Sequence, residues 1–159
     1  MVRTLVTTST PITISARNGH ANCLLCGERN PWSLNLRFQS GDDDIFWGHF
    51  QAHPQLQGYD GILHGGMVAA LLDAAMTHCL FHRDVKAVTG DLHVRFLKPI
   101  PCSAALDIKT WIMFSKPPLH HLRAEILHED QVMAWGEAKF LQHRESGRSR
   151  KKEAAAYQA

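Results

Sequence analysis

The segment that decides the fold is QGYDGILHGGMVAALLDAAM, residues 57–76. It is rich in glycine up to Gly66, and from Met67 to about Phe81 the chain is apolar on almost every side. A helix of this composition is normally buried, because it has no polar face for water. The segment therefore predicts a central helix that begins at Gly65, directly after a glycine-rich turn.

Six runs around this segment alternate apolar and polar residues with the period of a half-buried strand. They are 34–38, 45–51, 88–97, 104–114, 122–127 and 132–141. Short turns join most of them, so these strands are expected to pair antiparallel. The predicted fold class is α+β, with an antiparallel sheet of about six strands around one buried helix.

The same period assigns the faces of the predicted strands. In the run 104–114, the expected core face carries Leu106, Ile108, Ile112 and Phe114. The opposite faces carry a surplus of large apolar residues, namely Trp111, Met113, Met133, Trp135 and Leu141. This surplus indicates a second buried surface or a lipidic pocket, and ordinary structural packing is the alternative.

Composition divides the chain into a Thr/Ser-rich leader (1–18), a patterned body (19–143) and a basic tail (144–159). We expect one domain between two flexible ends. The net charge is +2, but residues 1–142 hold 12 Lys and Arg against 13 Asp and Glu. A body without a basic surplus argues against a nucleic-acid-binding face, so small molecules or proteins are the expected partners.

No run approaches the roughly 18 apolar residues of a membrane span, and the leader lacks the apolar block of a secretory signal. Four cysteines in a chain without an export signal indicate reduced thiols and a cytoplasmic location. A transit segment is the alternative, although the leader's two arginines are few for one.

Two features of the quoted segment point to chemistry. Gly65 and Gly66 open the helix, where free N–H groups and the positive end of the macrodipole can receive an anion or a polarised carbonyl oxygen. The alternative is that they only form a tight turn. Asp73 is a carboxylate among apolar neighbours. Either it lies on a narrow exposed stripe with Thr77, or it is a desolvated general base or nucleophile.

Within one chain, these two features cannot serve the same reacting carbon. Eight residues separate Gly65 from Asp73, which is about 12 Å along a helix. If both act on one carbonyl group, Gly65 of one subunit must meet Asp73 of another. The spacing therefore predicts a two-fold homodimer with two composite sites.

At these residues the chain resembles the hotdog-fold acyl-CoA thioesterases, in particular the phenylacetate-pathway and small thioesterase-superfamily group. Their pattern, G-x-x-H-G-G-x-x-x-x-L-x-D-x-A, is matched by Gly61, His64, Gly65, Gly66, Leu71, Asp73 and Ala75. The segments 22–31 and 92–101 are similar to the family's lead-in and to its strand after the helix. The resemblance covers about residues 22–141.

The resemblance implies a hotdog fold, an acyl-CoA substrate and hydrolysis of its thioester to a free acid and coenzyme A. It also implies a homodimer joined sheet edge to edge, which often pairs into a homotetramer. By position, the Gly65 N–H polarises the carbonyl group, and His64 and Gly66 shape the loop. Asp73 of the partner subunit activates water or attacks the carbonyl carbon. Thr89 matches a residue that orients the water in some members. No metal or organic cofactor is implied.

One position departs from the family pattern. Many members have Asn or Gln six residues before the histidine, where this chain has Gly58 with Gln57 beside it. Gln57 is therefore a candidate substrate-binding residue. Lys116, His120 and Arg123 are candidates for binding the phosphates of coenzyme A, with a solvated strand end as the alternative.

Cys23 and Cys26, with His20 three residues earlier, have a spacing that can begin a zinc site. A structural zinc site normally has four ligands, and the sequence has no second Cys-x-x-Cys. The sequence therefore favours a turn that packs two small thiols, and no metal is expected.

Two other functions remain open at this point. A hotdog enoyl-thioester hydratase or dehydratase pairs a histidine with an acid at a spacing unlike that of His64 and Asp73. A non-catalytic acyl-CoA-binding protein binds its ligand without turnover, and usually carries an added DNA-binding segment.

Overall fold

A computed structural model of the protein describes residues 19–142, so the expectations for the leader 1–18 and the tail 144–159 lie outside the described residues. The described chain has one α-helix, α1 (Gly65–Phe81), and two short 3-10 turns, Asp42–Asp44 and Pro54–Leu56. Its strands are β1 (Phe38–Ser40), β2 (Phe46–Gln51), β3 (Ala87–Phe96), β4 (Ala105–Lys116), β5 (Leu119–His128) and β6 (Gln131–Gln142). They form one antiparallel sheet in the order β1-β2-β4-β5-β6-β3.

The helix α1 is the centre of the core, and the sheet packs around it. Leu71, Leu72, Ala75 and Met76 are completely or almost completely buried, together with inward side chains of β4, β5 and β6. Burying an apolar helix against an apolar sheet face removes both surfaces from water, which is the main stabilising contribution. The predicted α+β class, the helix and the six-stranded antiparallel sheet are confirmed, and the arrangement is a hotdog fold.

The first predicted strand is wrong over most of its length. Strand β1 covers only Phe38–Ser40, and the residues before it pair with the preceding loop instead. The Leu34 N–H donates to the Leu24 carbonyl and the Leu36 N–H to the Leu25 carbonyl, each at 2.9 Å. The alternation of apolar residues in this segment therefore reflects a loop with one buried side.

Two β-bulges change which face some side chains occupy. The β4–β5 register shifts between Ile112 and Phe114, so Phe114 leaves the core face and is 49% exposed. The β5–β6 register shifts at Ile126/Leu127, and Met133 turns into the core at 5% exposure. The predicted inward position of Phe114 and outward position of Met133 are both wrong, because a bulge interrupts the period of two.

The outer face of the sheet is a ladder of charged side chains and tryptophans. Arg123 stacks on the Trp135 ring at 4.3 Å and forms an ion pair with Glu137 at 2.7 Å. Lys109 lies 5.7 Å from the centre of the Trp111 ring. Ordinary packing on this face therefore accounts for the two outward tryptophans.

Among the strands of residues 19–142, β3 is at an edge of the sheet and pairs with β6 alone. Val88 and Phe96, near its two ends, are 55% and 54% exposed. No helix in residues 19–142 has the length and hydropathy that crossing a bilayer requires.

Candidate active site

The first N–H groups of α1 differ in whether they have a hydrogen-bond acceptor. His64 is the N-cap, and its carbonyl oxygen accepts from the N–H groups of Met67 and Val68 at 2.9 and 3.1 Å. Its imidazole Nδ1 accepts from the Gly66 N–H at 2.8 Å. The Gly65 N–H makes no hydrogen bond within residues 19–142, so it is the free donor at the positive end of the helix.

The His64 ring is held between two glycines. A Cβ at Gly66 would lie 3.0 Å from Nδ1 of His64, and a Cβ at Gly58 would lie 3.2 Å from Cδ2 of the same ring. A side chain at either position would require the ring to shift by a few tenths of an ångström. Close packing against the His64 ring therefore accounts for the glycine at position 58.

Gln57 supports the loop before the helix. Its side-chain oxygen accepts from the Gly61 N–H at 3.0 Å, and Gly61 has φ +75°, a conformation that favours glycine. The loop is tied to the next segment through the Leu63 N–H, which donates to the Ile100 carbonyl at 2.8 Å.

A groove of about 760 Å³ opens at this end of the helix. His64, Gly65, Val68, Phe96 and Lys98 are among its lining residues. Sequence reasoning did not assign Phe96 or Lys98 a role. The available signal was a large apolar pair directly followed by a lysine and two prolines in the segment FLKPIP, residues 96–101.

Asp73 lies on the partly exposed stripe of α1 that it shares with Thr77. Its Oδ1 accepts from the Thr89 hydroxyl at 2.7 Å, so two predicted site residues contact each other. The β3–β6 register shifts between Thr89 and Asp91, leaving Gly90 as the extra residue. Because of this bulge, Thr89 lies opposite the buried Phe140 and faces the helix.

The structure does not bring all the predicted site residues together. His64, Gly65 and Gln57 line the groove, whereas Asp73 and Thr89 do not. Within one chain, the groove at Gly65 and the Asp73–Thr89 pair therefore lie apart, as the rise along the helix predicts.

The three predicted phosphate-binding residues lie on β4 and β5, outside the groove lining. His120 is buried and lies 2.8 Å from the Ser115 hydroxyl. Arg123 is engaged with Glu137 and Trp135, and Lys116 is exposed at the end of β4.

The two cysteines of the early loop lie together with a histidine. Ligand atoms of His20, Cys23 and Cys26 all lie within 4.8 Å of one another. Burial raises the pKa of the Cys26 thiol to about 12 and lowers the pKa of His20. In the protein alone, Cys26 is therefore a neutral thiol at physiological pH.

The comparisons with known proteins agree with this architecture. Residues 60–134 match the family model of the thioesterase superfamily. A curated relative, "Acyl-coenzyme A thioesterase THEM4" of Bos taurus, is 34% identical over 73 residues, which are 46% of this chain and 30% of the relative. The match thus spans less than a third of that relative's length.

Two solved structures share the fold. The thioesterase superfamily protein RHA08564 superposes with a TM-score of 0.72 at 21% identity, covering 87% of this chain and 70% of that chain. The E. coli PaaI protein from the phenylacetic acid degradation operon gives a TM-score of 0.67 at 19% identity, covering 80% of this chain and 96% of that chain. At these identities the structures support the fold, and the family model supports the resemblance of the helix motif.

Proposed function

We propose that the chain hydrolyses an acyl-CoA thioester to a free acid and coenzyme A, because it has a hotdog fold and its residues 60–134 match the family model of the thioesterase superfamily. The observation that carries this proposal is the free Gly65 N–H at the start of a buried helix, on the wall of an open groove. The motif around it is the one by which the chain resembles these enzymes.

In the proposed reaction, the thioester carbonyl oxygen lies against the Gly65 N–H. Negative charge develops on this oxygen as the carbonyl carbon becomes tetrahedral, and a fixed N–H at a helix N-terminus stabilises that charge without reorganising. His64 keeps the adjacent Gly66 N–H occupied, so the loop has a fixed shape before substrate binds.

The proposed base or nucleophile is Asp73. The Thr89 hydroxyl occupies its Oδ1, which fixes the carboxylate plane and leaves Oδ2 free for a water molecule or for the carbonyl carbon. In the first case Asp73 takes a proton from the attacking water. In the second its oxygen bonds to the carbonyl carbon, the C–S bond breaks to release the coenzyme A thiolate, and water then cleaves the resulting mixed anhydride to the free acid and the Asp73 carboxylate.

Assembly through β3 is part of the proposal. Asp73 contacts Thr89, near the start of β3. Gly65 lies near the end of β3, because a Cβ at Gly65 would be 3.5 Å from the Phe96 ring. Two copies of β3 that pair antiparallel about a two-fold axis near their middle place each start beside the partner's end. Such a homodimer joins Gly65 of one chain to Asp73 of the partner subunit, and the resemblance adds a tetramer as a dimer of dimers.

The groove indicates how the substrate is oriented. Val68 and Phe96 give it apolar walls for the acyl chain or the pantetheine arm, and Lys98 supplies a cation for a phosphate of coenzyme A. Gln57 acts indirectly, because its side chain supports the loop. Lys116, His120 and Arg123 lie outside the groove, so they have no part in this proposal.

The test replaces Asp73 by Asn, which keeps its size and removes its charge. Thiol release from a panel of acyl-CoA substrates, from phenylacetyl to palmitoyl, should fall by about 10²–10⁴-fold. Asp130→Asn is the matched control, since Asp130 is an exposed carboxylate in the turn between β5 and β6, outside both β3 and the groove lining. If Asp73→Asn turns over substrate as fast as the control, Asp73 is neither the base nor the nucleophile.

The same assay separates the other two functions. A hydratase consumes an enoyl-CoA without releasing thiol, because hydration leaves the thioester intact. A non-catalytic binding protein retains acyl-CoA in equilibrium dialysis and releases no thiol from any substrate of the panel. Either result would contradict the proposed hydrolysis.

A further inference from the structure

The described chain begins with a loop, residues 20–27, that winds tightly around two thiols. The Cys23 N–H donates to the His20 carbonyl at 3.0 Å, and the Gly27 N–H donates to the Cys23 carbonyl at 2.9 Å. A Cβ at Gly27 would lie 2.4 Å from the Cys23 nitrogen and 2.6 Å from the Ala21 oxygen, so only glycine fits there. The backbone therefore fixes the direction of the side chains at His20, Cys23 and Cys26.

The three side chains present one nitrogen and two sulfurs to a common point. Nδ1 of His20 lies 3.7 Å from Sγ of Cys26, and Sγ of Cys23 lies within 4.8 Å of both atoms. A tetrahedral zinc ion with ordinary bond lengths separates sulfur from nitrogen by about 3.5 Å and sulfur from sulfur by about 3.8 Å. Small side-chain rotations therefore suffice to bring all three atoms into zinc-binding geometry.

We propose that His20, Cys23 and Cys26 bind one Zn²⁺ ion, with the fourth position open to water or to an external ligand. Thiolate and imidazole are the ligands that Zn²⁺ prefers, and they are poor ligands for Mg²⁺ and Ca²⁺. Two thiolates also neutralise the charge of the ion, which matters because Cys26 is 1% exposed. His20 and Cys23 are partly exposed, so the fourth position is open to solvent.

Surrounding hydrogen bonds support the sulfur ligands. The Leu25 N–H donates to Sγ of Cys23 at 3.4 Å, which orients this sulfur. Arg37 donates from Nη1 to the Cys26 carbonyl at 2.9 Å and so holds the backbone of the second ligand in place.

The site would join the loop to the rest of the domain. The His20 ring packs edge-on against Phe81, the last residue of α1, with ring centres 4.6 Å apart. Leu24 and Leu25 accept backbone hydrogen bonds from the residues before β1. An ion held only by the folded loop would stabilise these contacts, since its binding free energy adds to folding.

The experiment measures metal content and ligand identity in the whole chain. The reduced protein is purified, exposed to zinc and desalted, and mass spectrometry should find one zinc per chain. Cobalt(II) in place of zinc should give thiolate-to-metal charge-transfer absorption. Cys23→Ser and His20→Asn should each lower zinc affinity at least about 100-fold, whereas Cys102→Ala, which removes a buried cysteine elsewhere, should keep it.

A second measurement needs no variant, so it stands even if the loop variants fold poorly. Alkylation of Cys23 in the unaltered protein, mapped by peptide mass spectrometry, should be slowed by zinc and unaffected by magnesium. Three results would overturn the site. They are zinc far below one per chain while the thiols are free, cobalt absorption of undiminished intensity in Cys23→Ser, and alkylation of Cys23 that zinc does not slow. A Cys23–Cys26 disulfide that persists under reducing conditions would also overturn it.

Discussion

At the scale of single residues, the unusual choice in this site is a histidine as N-cap. The usual caps are Ser, Thr, Asp and Asn, and an Asp would place a negative charge on the helix N-terminus. The His64 ring accepts the Gly66 N–H through Nδ1, so the cap is made without a carboxylate at the helix N-terminus. The positive end of the helix therefore remains available for the oxygen of a substrate.

The role of the Gly65 N–H can be tested by deleting that one hydrogen. Gly65→Pro removes the donor and preserves the helix, because proline is favoured at the first helical position and His64 has the extended conformation (φ −59°, ψ 132°) that precedes proline. Thiol release should fall about 10²–10³-fold. Gly65→Ala keeps the N–H, and its Cβ would make an ordinary 3.5 Å contact with Phe96, so it is the control.

If Gly65→Pro and Gly65→Ala have the same kcat with the same thermal stability, the Gly65 N–H does not stabilise the transition state. A fall in kcat/KM that comes only from a higher KM, with kcat unchanged, would likewise contradict the assignment. The proposed interaction strengthens as the carbonyl oxygen gains charge, so its loss must lower kcat.

Thr89 shows how far a sequence can specify a single contact. Regular alternation along β3 puts position 89 on the same face as Asp91, away from the helix. Only the family resemblance identified Thr89 as a candidate site residue. The bulge at Gly90 reverses its direction and brings the hydroxyl to Asp73. A glycine inside a strand pattern is the one local signal of such a bulge.

At the scale of elements, α1 was predicted with correct ends because its signals are local and strong. Glycines mark its start and a continuous apolar surface marks its extent. The bulged strands and the short β1 were predicted less well, since a bulge depends on the neighbouring strand and leaves almost no trace in one sequence. The alternation of apolar and polar residues therefore predicted the wrong sheet face for Phe114 and for Met133, because the bulges in the strand pairing interrupt that alternation.

One residue of α1 conflicts with its apolar surroundings. His78 is 1% exposed, packs beside Phe38 with ring centres 4.8 Å apart, and has no hydrogen-bond partner for either ring nitrogen among the described residues. Burial lowers its pKa from 6.5 to about 4, with smaller effects of His20 and Arg37. The ring is therefore neutral in the folded protein at neutral pH.

The lowered pKa of His78 predicts a loss of stability in mild acid. Between pH 6.5 and about 4, the unfolded chain binds a proton at this position that the folded chain does not, so the free energy of unfolding decreases as the pH falls. The full effect is about 3 kcal/mol. His78→Leu should flatten this dependence in urea unfolding at pH 7.5 and 4.5 and leave stability at pH 7.5 equal or higher, because it removes two unsatisfied nitrogens.

The exposed His82, one helical turn further on, provides the control. His82→Gln should keep the acid dependence of the unaltered protein. Equal pH dependence in His78→Leu and the unaltered protein would show that another group is responsible.

At the scale of the whole molecule, the chain carries both halves of the proposed chemistry but keeps them apart. The sequence could predict this separation, because the helical rise between Gly65 and Asp73 needs no tertiary information. It could not predict the groove, whose walls come from the loop at 57–63 and the segment at 96–100. The bridge between Ile62 and Pro101 that joins these walls is a long-range contact.

Mixing two inactive chains tests the composite site. Asp73→Asn retains an intact Gly65, and Gly65→Pro retains an intact Asp73, so each heterodimer should contain one complete site and one doubly defective site. Co-refolding equal amounts should restore about a quarter of the wild-type thiol release by random pairing. The control mixes Asp73→Asn with a chain that carries both substitutions, and no recovery is expected there. A site contained in one chain would give no recovery in either mixture.

The outer edge of β3 also affects the tendency of the chain to aggregate in solution. Within residues 19–142, its outer edge of ten residues has no partner strand, and the apolar side chains of Val88 and Phe96 are exposed. Such an edge is a template for uncontrolled pairing with other strands, and association with an identical copy blocks it. In the proposed dimer, protection from aggregation and the assembly of the reactive groups therefore depend on the same ten residues, so substitutions there are constrained by solubility as well as by turnover.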